Sequence, residues 1–261
     1  MRKKIGIIGA GNMGKALIKG LHKSHTLTVV DPNEPTRFYL KEEYKDKVNV
    51  SEILDPGLHA DIIILAVKPQ DMESVLKNLQ PSKNQVFISI AAGLTTKYFE
   101  KYLGKIRVIR CMPNMPALIG EGIAGICAGK YASATDLKEA QKILSAIGQT
   151  VIVKESMIDA VTAVSGSGPA YVFLFVEQWM AAAKKLGFKE SEAKELVYKT
   201  LLGSAHLLEK STFSAGELRV KVTSKGGTTQ AALDVFSKMK FDQIMKDALV
   251  AAKKRAKELA K

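Results

Sequence analysis

Short apolar runs alternate with amphipathic stretches from the start of this 261-residue chain to about residue 155. The β-branched runs predict strands over residues 4–8, 26–31, 62–67, 86–90, 107–111, 123–128 and 150–153. Helical spacing between them predicts helices over residues 15–22, 96–103 and 136–147. The runs at 62–67 and 86–90 are almost continuously apolar, which is typical of strands covered on both faces of a parallel sheet. The pattern therefore predicts an α/β, doubly wound sheet over residues 1–155.

The pattern changes after about residue 156, where no strong strand candidate remains. The predicted helix starts are Ser191, the capping box Ser214-Ala215-Gly216-Glu217, Thr228 or Thr229, and Phe241. The first of these helices is expected to run to about Glu209 and the last to the end of the chain. Several carry apolar residues on more than one face. Residues 156–261 are therefore predicted to form an all-α domain that buries these faces against a second copy of the chain.

The turn after the first predicted strand reads Gly9-Ala10-Gly11-Asn12-Met13-Gly14 and opens a predicted helix. In this context Gly9 permits a tight turn, Gly11 lets a pyrophosphate approach the backbone, and Gly14 lets helix and strand pack closely. The free N–H groups of the helix start would attract the pyrophosphate charge. The motif therefore predicts a Rossmann-type cofactor site made by Gly9, Ala10, Gly11, Asn12, Met13 and Gly14. An ordinary glycine turn is the alternative.

Asp31 ends the second predicted strand, at the distance from the glycines where an acid binds the adenosine ribose of a dinucleotide. Its carboxylate would accept from the ribose hydroxyls and repel a 2′-phosphate, which favours NADH over NADPH. Arg37 would reduce that repulsion if its loop folds back. The alternative is that Asp31 is a turn residue before Pro32.

Three further turns follow predicted strands at their carboxyl ends, where open α/β sheets bind ligands. They contain Val67-Lys68-Pro69, Ala91-Ala92-Gly93 and Met112-Pro113-Asn114-Met115-Pro116. We expect Val67, Lys68, Pro69, Ala92 and Asn114 to hold the nicotinamide half of the cofactor, beside one wall of a substrate pocket. Each turn alone is equally consistent with an ordinary turn whose residues bind no ligand.

Two segments of the helical half combine small and polar residues. Val164-Ser165-Gly166-Ser167-Gly168-Pro169-Ala170 interrupts an apolar helical stretch, so it would expose backbone groups and admit a ligand beside Ser167. Thr223-Ser224-Lys225-Gly226-Gly227-Thr228-Thr229 ends in a helix start, where hydroxyls, Lys225 and free N–H groups would bind a small carboxylate. The alternatives are a helix–helix turn and a simple N-cap.

Composition places the chain among ordinary globular proteins, because it is 46% hydrophobic and 25% charged. The net charge of +13 raises the question of a nucleic-acid partner. The lysines, however, are spread along the chain, and the densest run at 253–261 has no aromatic residues for base stacking. We therefore expect no nucleic-acid partner and a positive field that attracts small anionic ligands.

The remaining features favour a cytoplasmic protein without a membrane segment or a metal. The longest apolar stretch, residues 171–183, contains Glu177 and Gln178, and the N-terminus lacks the pattern of a signal peptide. Cys111 and Cys127 form no CxxC pair and are expected to be reduced. The four histidines are scattered, so no metal site is expected.

Motifs along essentially the full chain resemble those of the Δ1-pyrroline-5-carboxylate reductase family. They are Ile7-Ile8-Gly9-Ala10-Gly11-Asn12-Met13-Gly14, Ala66-Val67-Lys68-Pro69, Arg110-Cys111-Met112-Pro113-Asn114, Asp159-Ala160-Val161-Thr162 with Ser165-Gly166-Ser167-Gly168-Pro169-Ala170-Tyr171, and Thr223-Ser224-Lys225-Gly226-Gly227-Thr228-Thr229. The last two are the most specific.

The resemblance implies reduction of a cyclic imine, 1-pyrroline-5-carboxylate, to L-proline by NADH or NADPH, the last step of proline biosynthesis. It also implies a helix-swapped homodimer that often assembles further. Thr229 matches the substrate-contacting threonine of the family and is the expected catalytic residue. Ser224, Gly227 and Thr228 match its carboxylate-binding turn.

The chain departs from the family in three places. Lys225 stands where many relatives have proline, and Asp31 where many have an uncharged residue. Ser51, Glu52 and Ile53 occupy the region in which some relatives use a cofactor-binding asparagine.

Two rival functions remain at this point. A β-hydroxyacid dehydrogenase would use a lysine on a helix of the second half, and the corresponding region 170–183 carries none. A dinucleotide-sensing regulator would need a nucleic-acid-binding module, and no such module is recognisable before Ile5.

Overall fold

The computed structural model describes residues 2–259, which divide into two compact units. The first contains residues 2–169 and 251–259, and the second is Ala170–Val250. The domain boundary expected after residue 155 falls in a 3-10 turn, Glu155–Met157, and stays a prediction. The predicted helix at residues 260–261 lies outside the described residues.

The first unit is built on an eight-stranded sheet. In chain order its strands β1 to β8 are Lys4–Ile8, Thr26–Val30, Val48–Ser51, Ile62–Leu65, Val86–Ser89, Arg107–Met112, Gly122–Ala128 and Gly148–Ile152. Their spatial order is β3-β2-β1-β4-β5-β6-β7-β8. The first six strands are parallel and have the Rossmann order, which confirms the predicted fold class. The crevice at which ligands bind such sheets lies between β1 and β4, where the strand order reverses.

The last two strands depart from the predicted parallel arrangement. β7 pairs antiparallel with β6, and β8 runs parallel to β7. Only residues 113–121 join β6 to β7, which is too short for the crossover that a parallel pair needs. The prediction also missed β3, because its four residues include two polar ones and only one is buried.

Eleven α-helices accompany the sheet among the described residues. In chain order α1 to α11 are Asn12–Leu21, Glu34–Tyr44, Met72–Lys77, Thr96–Leu103, Ala134–Leu144, Ile158–Val161, Gly168–Lys185, Glu190–Lys210, Ala215–Lys221, Thr228–Lys238 and Phe241–Leu259. The predicted capping box at Ser214 and Glu217 is confirmed by bonds in both directions. The predicted cap of α8 at Ser191 is wrong. The N-cap is Lys189, whose N–H donates to Glu192 at 2.8 Å.

Alternate residues of the central strands form the cores on the two faces of the sheet. Ile62 and Ile64 belong to one buried cluster, whereas Ile63 and Leu65 belong to the other. All four are at most 1% exposed. The continuous apolar run therefore has the cause inferred from sequence, namely burial on both faces.

The second unit keeps much apolar surface open to solvent. Phe173, Leu202 and Val235 are 57%, 51% and 61% exposed, while Ala183, Ala193 and Val197 are its buried hydrophobic residues. Among the described residues one helical stretch, Glu155–Lys185, is long and apolar enough by composition to cross a membrane. A helix that packs against a second protein chain would have the same length and composition.

Candidate functional site

The glycine turn after β1 contains two positions where the fold itself requires glycine. Gly9 has a φ of +95°, and a Cβ there would lie 2.8 Å from the backbone of Ala66. A Cβ on Gly14 would lie 2.3 Å from the carbonyl oxygen of Gly9. Both positions therefore bring β1, α1 and the turn after β4 into close contact, as expected for the motif.

Gly11 differs from its two neighbours because nothing lies within 4 Å of the place that its Cβ would occupy. It is the N-cap of α1, without a side-chain capping bond, and both Gly11 and Asn12 are exposed. The backbone N–H groups of the first turn therefore face an open space, where the helix dipole favours an anion. The residues present fit the pyrophosphate of a dinucleotide.

Asp31 follows β2 directly and is 8% exposed. One carboxylate oxygen accepts from the N–H of Ala10 at 2.6 Å, and the other accepts from the N–H of Asn33 at 2.9 Å. The carboxylate thus joins the glycine turn to the end of β2. Because each carboxylate oxygen can accept more than one hydrogen bond, Asp31 retains capacity for a ribose hydroxyl.

The other predicted cofactor residues lie in turns at the same edge of the sheet. Val67, Lys68 and Pro69 follow β4, with Lys68 exposed, and the exposed Ala92 follows β5. Asn114 follows β6 and is 9% exposed. Its side-chain oxygen accepts from the N–H of Ile123 at 3.0 Å and so holds the start of β7. The structure therefore brings these residues to the edge predicted from sequence and gives Asn114 a structural bond as well.

The segment around Ser167 is a π-helical turn between α6 and α7, rather than an open break. The N–H of Ser167 donates to the carbonyl of Thr162 at 2.8 Å. A Cβ on Gly166 would lie 2.8 Å from the end of the Met112 side chain, so the turn packs closely on the end of β6. Single π turns inside α-helices often occur at functional sites.

The predicted carboxylate-binding turn belongs to the helical unit. Gly226 has a φ of +73°, and the N–H of Gly227 donates to the carbonyl of Ser224 at 3.0 Å. The turn delivers the chain into α10, which begins at Thr228 without a side-chain capping bond. Ser224 and Thr228 are exposed and Thr229 is half-buried. Exposed hydroxyls and unpaired N–H groups at one helix start fit a small carboxylate.

A buried charged cluster in the first unit was missed from sequence. Arg110 in β6 is 4% exposed, and its guanidinium lies 3.4 Å from Glu155 and 3.9 Å from Asp159. The Glu155 carboxylate also accepts from the backbone N–H and the hydroxyl of Thr96, at 2.7 and 2.8 Å. The cluster ties the start of the long helical stretch to β6 and α4. An arginine between the apolar residues Ile109 and Cys111 was the available signal.

Among residues 2–259, no group of three or more His, Cys, Asp or Glu side chains could hold a metal ion. Both cysteines are buried and free. Burial raises the pKa of the Cys127 thiol to about 11 and raises the pKa of Cys111 as well. Neither thiol has the lowered pKa that a catalytic nucleophile needs.

We expect the native protein to resist thiol modification at pH 8. With a pKa of about 11, Cys127 is ionised to only about one part in a thousand there, and Cys111 less. The measurement is the rate of thiol release with a chromogenic disulfide, with and without denaturant. Both thiols should react at once in denaturant and slowly without it. Loss of activity in step with rapid modification of the native enzyme would contradict this account.

Comparison with known proteins gives matches over both units. The family described as "Pyrroline-5-carboxylate reductase dimerisation" matches residues 155–259, and "NADP oxidoreductase coenzyme F420-dependent" matches residues 4–93. A pyrroline-5-carboxylate reductase of Pseudomonas aeruginosa is 40% identical over 98% of this chain and 97% of its own length. Among solved structures, a pyrroline-5-carboxylate reductase of Coxiella burnetii is 34% identical, with a TM-score of 0.92 and full coverage of both chains. A Plasmodium falciparum pyrroline carboxylate reductase with NADP bound is 32% identical, with a TM-score of 0.85, over 99% of this chain and 98% of that one.

Proposed function

The chain belongs to the pyrroline-5-carboxylate reductase family, and from this we infer that it reduces 1-pyrroline-5-carboxylate to L-proline with NAD(P)H. The observation that carries the inference is the 40% identity to a named reductase over 98% of this chain. The rival functions, a β-hydroxyacid dehydrogenase and a dinucleotide-sensing regulator, are not favoured by the relatives that match at this coverage.

The chemistry requires a hydride donor, a site for one small carboxylate and a proton for the ring nitrogen. The dinucleotide, when bound, supplies the hydride that adds to the carbon of the C=N bond. The protein binds and orients both molecules and keeps the imine protonated, because an iminium accepts hydride far better than a neutral imine. No covalent nucleophile is needed, which agrees with the raised pKa of both thiols.

We assign the cofactor to the edge of the sheet formed by the turns after β1, β2, β4, β5 and β6. Gly9 to Gly14 would hold the pyrophosphate at the start of α1, and Asp31 the adenosine ribose. Val67, Lys68, Pro69, Ala92 and Asn114 would surround the nicotinamide half. The open space at Gly11 and the exposed start of α1 support this placement.

We assign the substrate to the turn before α10. Ser224, Gly227 and Thr228 would bind its carboxylate through hydroxyl and backbone N–H groups. Thr229 would place its hydroxyl near the ring nitrogen or the carboxylate, and Ser167 stays a predicted substrate-binding residue. The unoccupied donors at the start of α10 support this assignment, since they suit an anion with a single charge.

Asp31 makes NADH the preferred donor in this proposal. A ribose hydroxyl donates to the carboxylate in a charge-assisted bond. A 2′-phosphate in that place would set two anions together, and like charges 4 Å apart repel by about 4 kcal/mol at an effective dielectric near 20.

We expect Asp31→Ser to shift the ratio of kcat/KM values toward NADPH by about tenfold or more. Asp31→Asn serves as the second variant, since it removes the charge and keeps one acceptor oxygen for Ala10 or Asn33. Ratios are compared at fixed ionic strength, because the net charge of +13 favours the more anionic cofactor. A wild-type enzyme with a strong NADPH preference that neither variant changes would show that Asp31 does not contact the ribose.

The chain forms a homo-oligomer, since it contains the dimerisation domain of its family. We propose a dimer at least, whose interface covers the exposed apolar side chains of the second unit, Phe173, Leu202 and Val235 among them. Sedimentation at micromolar concentration should give at least twice the monomer mass of 28.4 kDa. Leu202→Asp should reduce that mass, because a charge would be buried at the interface. A fully active wild-type monomer would contradict the proposal.

We also place the enzyme in the cytoplasm, where reduced thiols and NAD(P)H are maintained.

The direct test of the activity is an absorbance assay. Addition of pyrroline-5-carboxylate to the enzyme and NADH or NADPH should reduce the absorbance of the reduced dinucleotide. We expect turnover of pyrroline-5-carboxylate with both NADH and NADPH. We expect no oxidation of a 3-hydroxy acid when NAD⁺ is supplied instead. The opposite result would favour the hydroxyacid dehydrogenase.

A further inference from the structure

The adjacent ends of β2 and β3 bring two acidic residues to the expected ribose site. The N–H of Asp31 donates to the carbonyl of Ser51 at 3.1 Å, so the two strand ends are directly adjacent. Glu52 follows Ser51 and is exposed, whereas Asp31 is buried. This edge thus has a second acid next to the one that the sequence motif identifies.

Arg37, in the first turn of α2, has both terminal nitrogens of its guanidinium bonded at this edge, one to two backbone carbonyls and the other to Glu52. One terminal nitrogen of its guanidinium donates to the carbonyls of Asp31 at 3.0 Å and Pro32 at 2.6 Å. The other terminal nitrogen is 2.9 Å from the Glu52 carboxylate. The Arg37 side chain is only 13% exposed, while that of Glu52 is 64% exposed.

An arginine at the end of β2 is the group that accommodates the 2′-phosphate of NADP in folds of this type, usually through a two-pronged bond. In this chain both hydrogens of one terminal nitrogen are used by carbonyls and the second terminal nitrogen is paired with a carboxylate. A phosphate that bound both terminal nitrogens would have to compete with the two carbonyls and with Glu52 for them, and the negative charges of Asp31 and Glu52 would oppose its approach.

We propose that Glu52 is a specificity-determining residue, which holds Arg37 against the turn between β2 and α2 and withholds it from a 2′-phosphate. The proposal rests on the dinucleotide site described above. Discrimination against NADPH then has two sources. Asp31 repels the phosphate directly, and Glu52 removes the cation that would otherwise offset this repulsion.

The test measures binding of two fragments, 2′,5′-ADP and 5′-AMP, to the intact enzyme by calorimetry at fixed ionic strength. In Glu52→Ala we expect 2′,5′-ADP to bind about two- to fivefold more tightly, the range set by an exposed ion pair, while 5′-AMP is unchanged. The kcat/KM ratio of NADPH to NADH should rise by the same factor. In the double variant Arg37→Ala/Glu52→Ala the gain should disappear, since the freed guanidinium is its cause.

The matched control is Glu42→Ala, which removes one negative charge from the exposed face of α2. Glu42 forms no ion pair within the described part of the chain. It should leave the ratio of the two fragment affinities unchanged. An equal gain in Glu42→Ala and Glu52→Ala, or a gain that persists in the double variant, would overturn the proposal. These outcomes concern Glu52 alone if the wild-type enzyme binds 5′-AMP and reduces pyrroline-5-carboxylate. A wild-type enzyme that did neither would instead overturn the proposed function.

Discussion

Gly11→Val is expected to weaken NADH binding by about 100-fold or more while the enzyme stays folded. The valine side chain would fill the space left open in front of α1, where the pyrophosphate must approach the first N–H groups. Loss of two hydrogen bonds to a charged group costs at least about 3 kcal/mol, at 1.5–3 kcal/mol each. Nothing within 4 Å opposes a Cβ at this position, so only the helix cap is weakened, by about 1 kcal/mol. Nucleotide fluorescence gives Kd, and thermal unfolding gives the stability.

Gly14→Val is the contrasting variant in the same motif. Its Cβ would lie 2.3 Å from the carbonyl oxygen of Gly9, so the turn itself must move. We expect a large fall in Tm together with loss of binding. If Gly11→Val bound NADH with the wild-type Kd, the cofactor would not lie at the start of α1.

Thr229→Ala is expected to lower kcat/KM for pyrroline-5-carboxylate by about 10- to 100-fold, because loss of one hydrogen bond to a charged group costs about 1.5–3 kcal/mol. Thr229 is the second residue of α10, which begins at Thr228 after the Gly226-Gly227 turn. The Kd of NADH should not change, since the threonine is assigned to the substrate alone.

Two controls separate a bond from a packing effect. Thr229→Ser retains the hydroxyl and should recover most of the activity. Thr212→Ala removes an exposed threonine of the same helical unit and should have no effect. Full activity of Thr229→Ala with unchanged KM would show that this hydroxyl does not contact the substrate.

Local patterns allowed the strands and helices nearest the site to be predicted from sequence. The predicted bounds of β1 and α4 agree with the structure residue for residue, because an apolar run and an amphipathic helix depend on neighbouring positions. The position of Asp31 at the end of β2 followed in the same way.

Features that depend on distant residues could not be predicted in this way. Arg110 and Glu155 are 45 positions apart, and nothing local to either one identifies its partner. The pairing of Arg37 with Glu52 likewise requires the register of β2 and β3, and β3 was itself missed. The antiparallel β7, by contrast, could have been inferred from the short connection after β6.

The central claim is that this chain transfers a hydride from a nicotinamide to the imine carbon of pyrroline-5-carboxylate. Incubation with NADH deuterated at the transferred position tests it most directly, with the product examined by mass spectrometry. The account predicts L-proline that carries a single deuterium on the former imine carbon, formed in equal amount to the NADH consumed. Proline without deuterium, or consumption of NADH without proline, would contradict it.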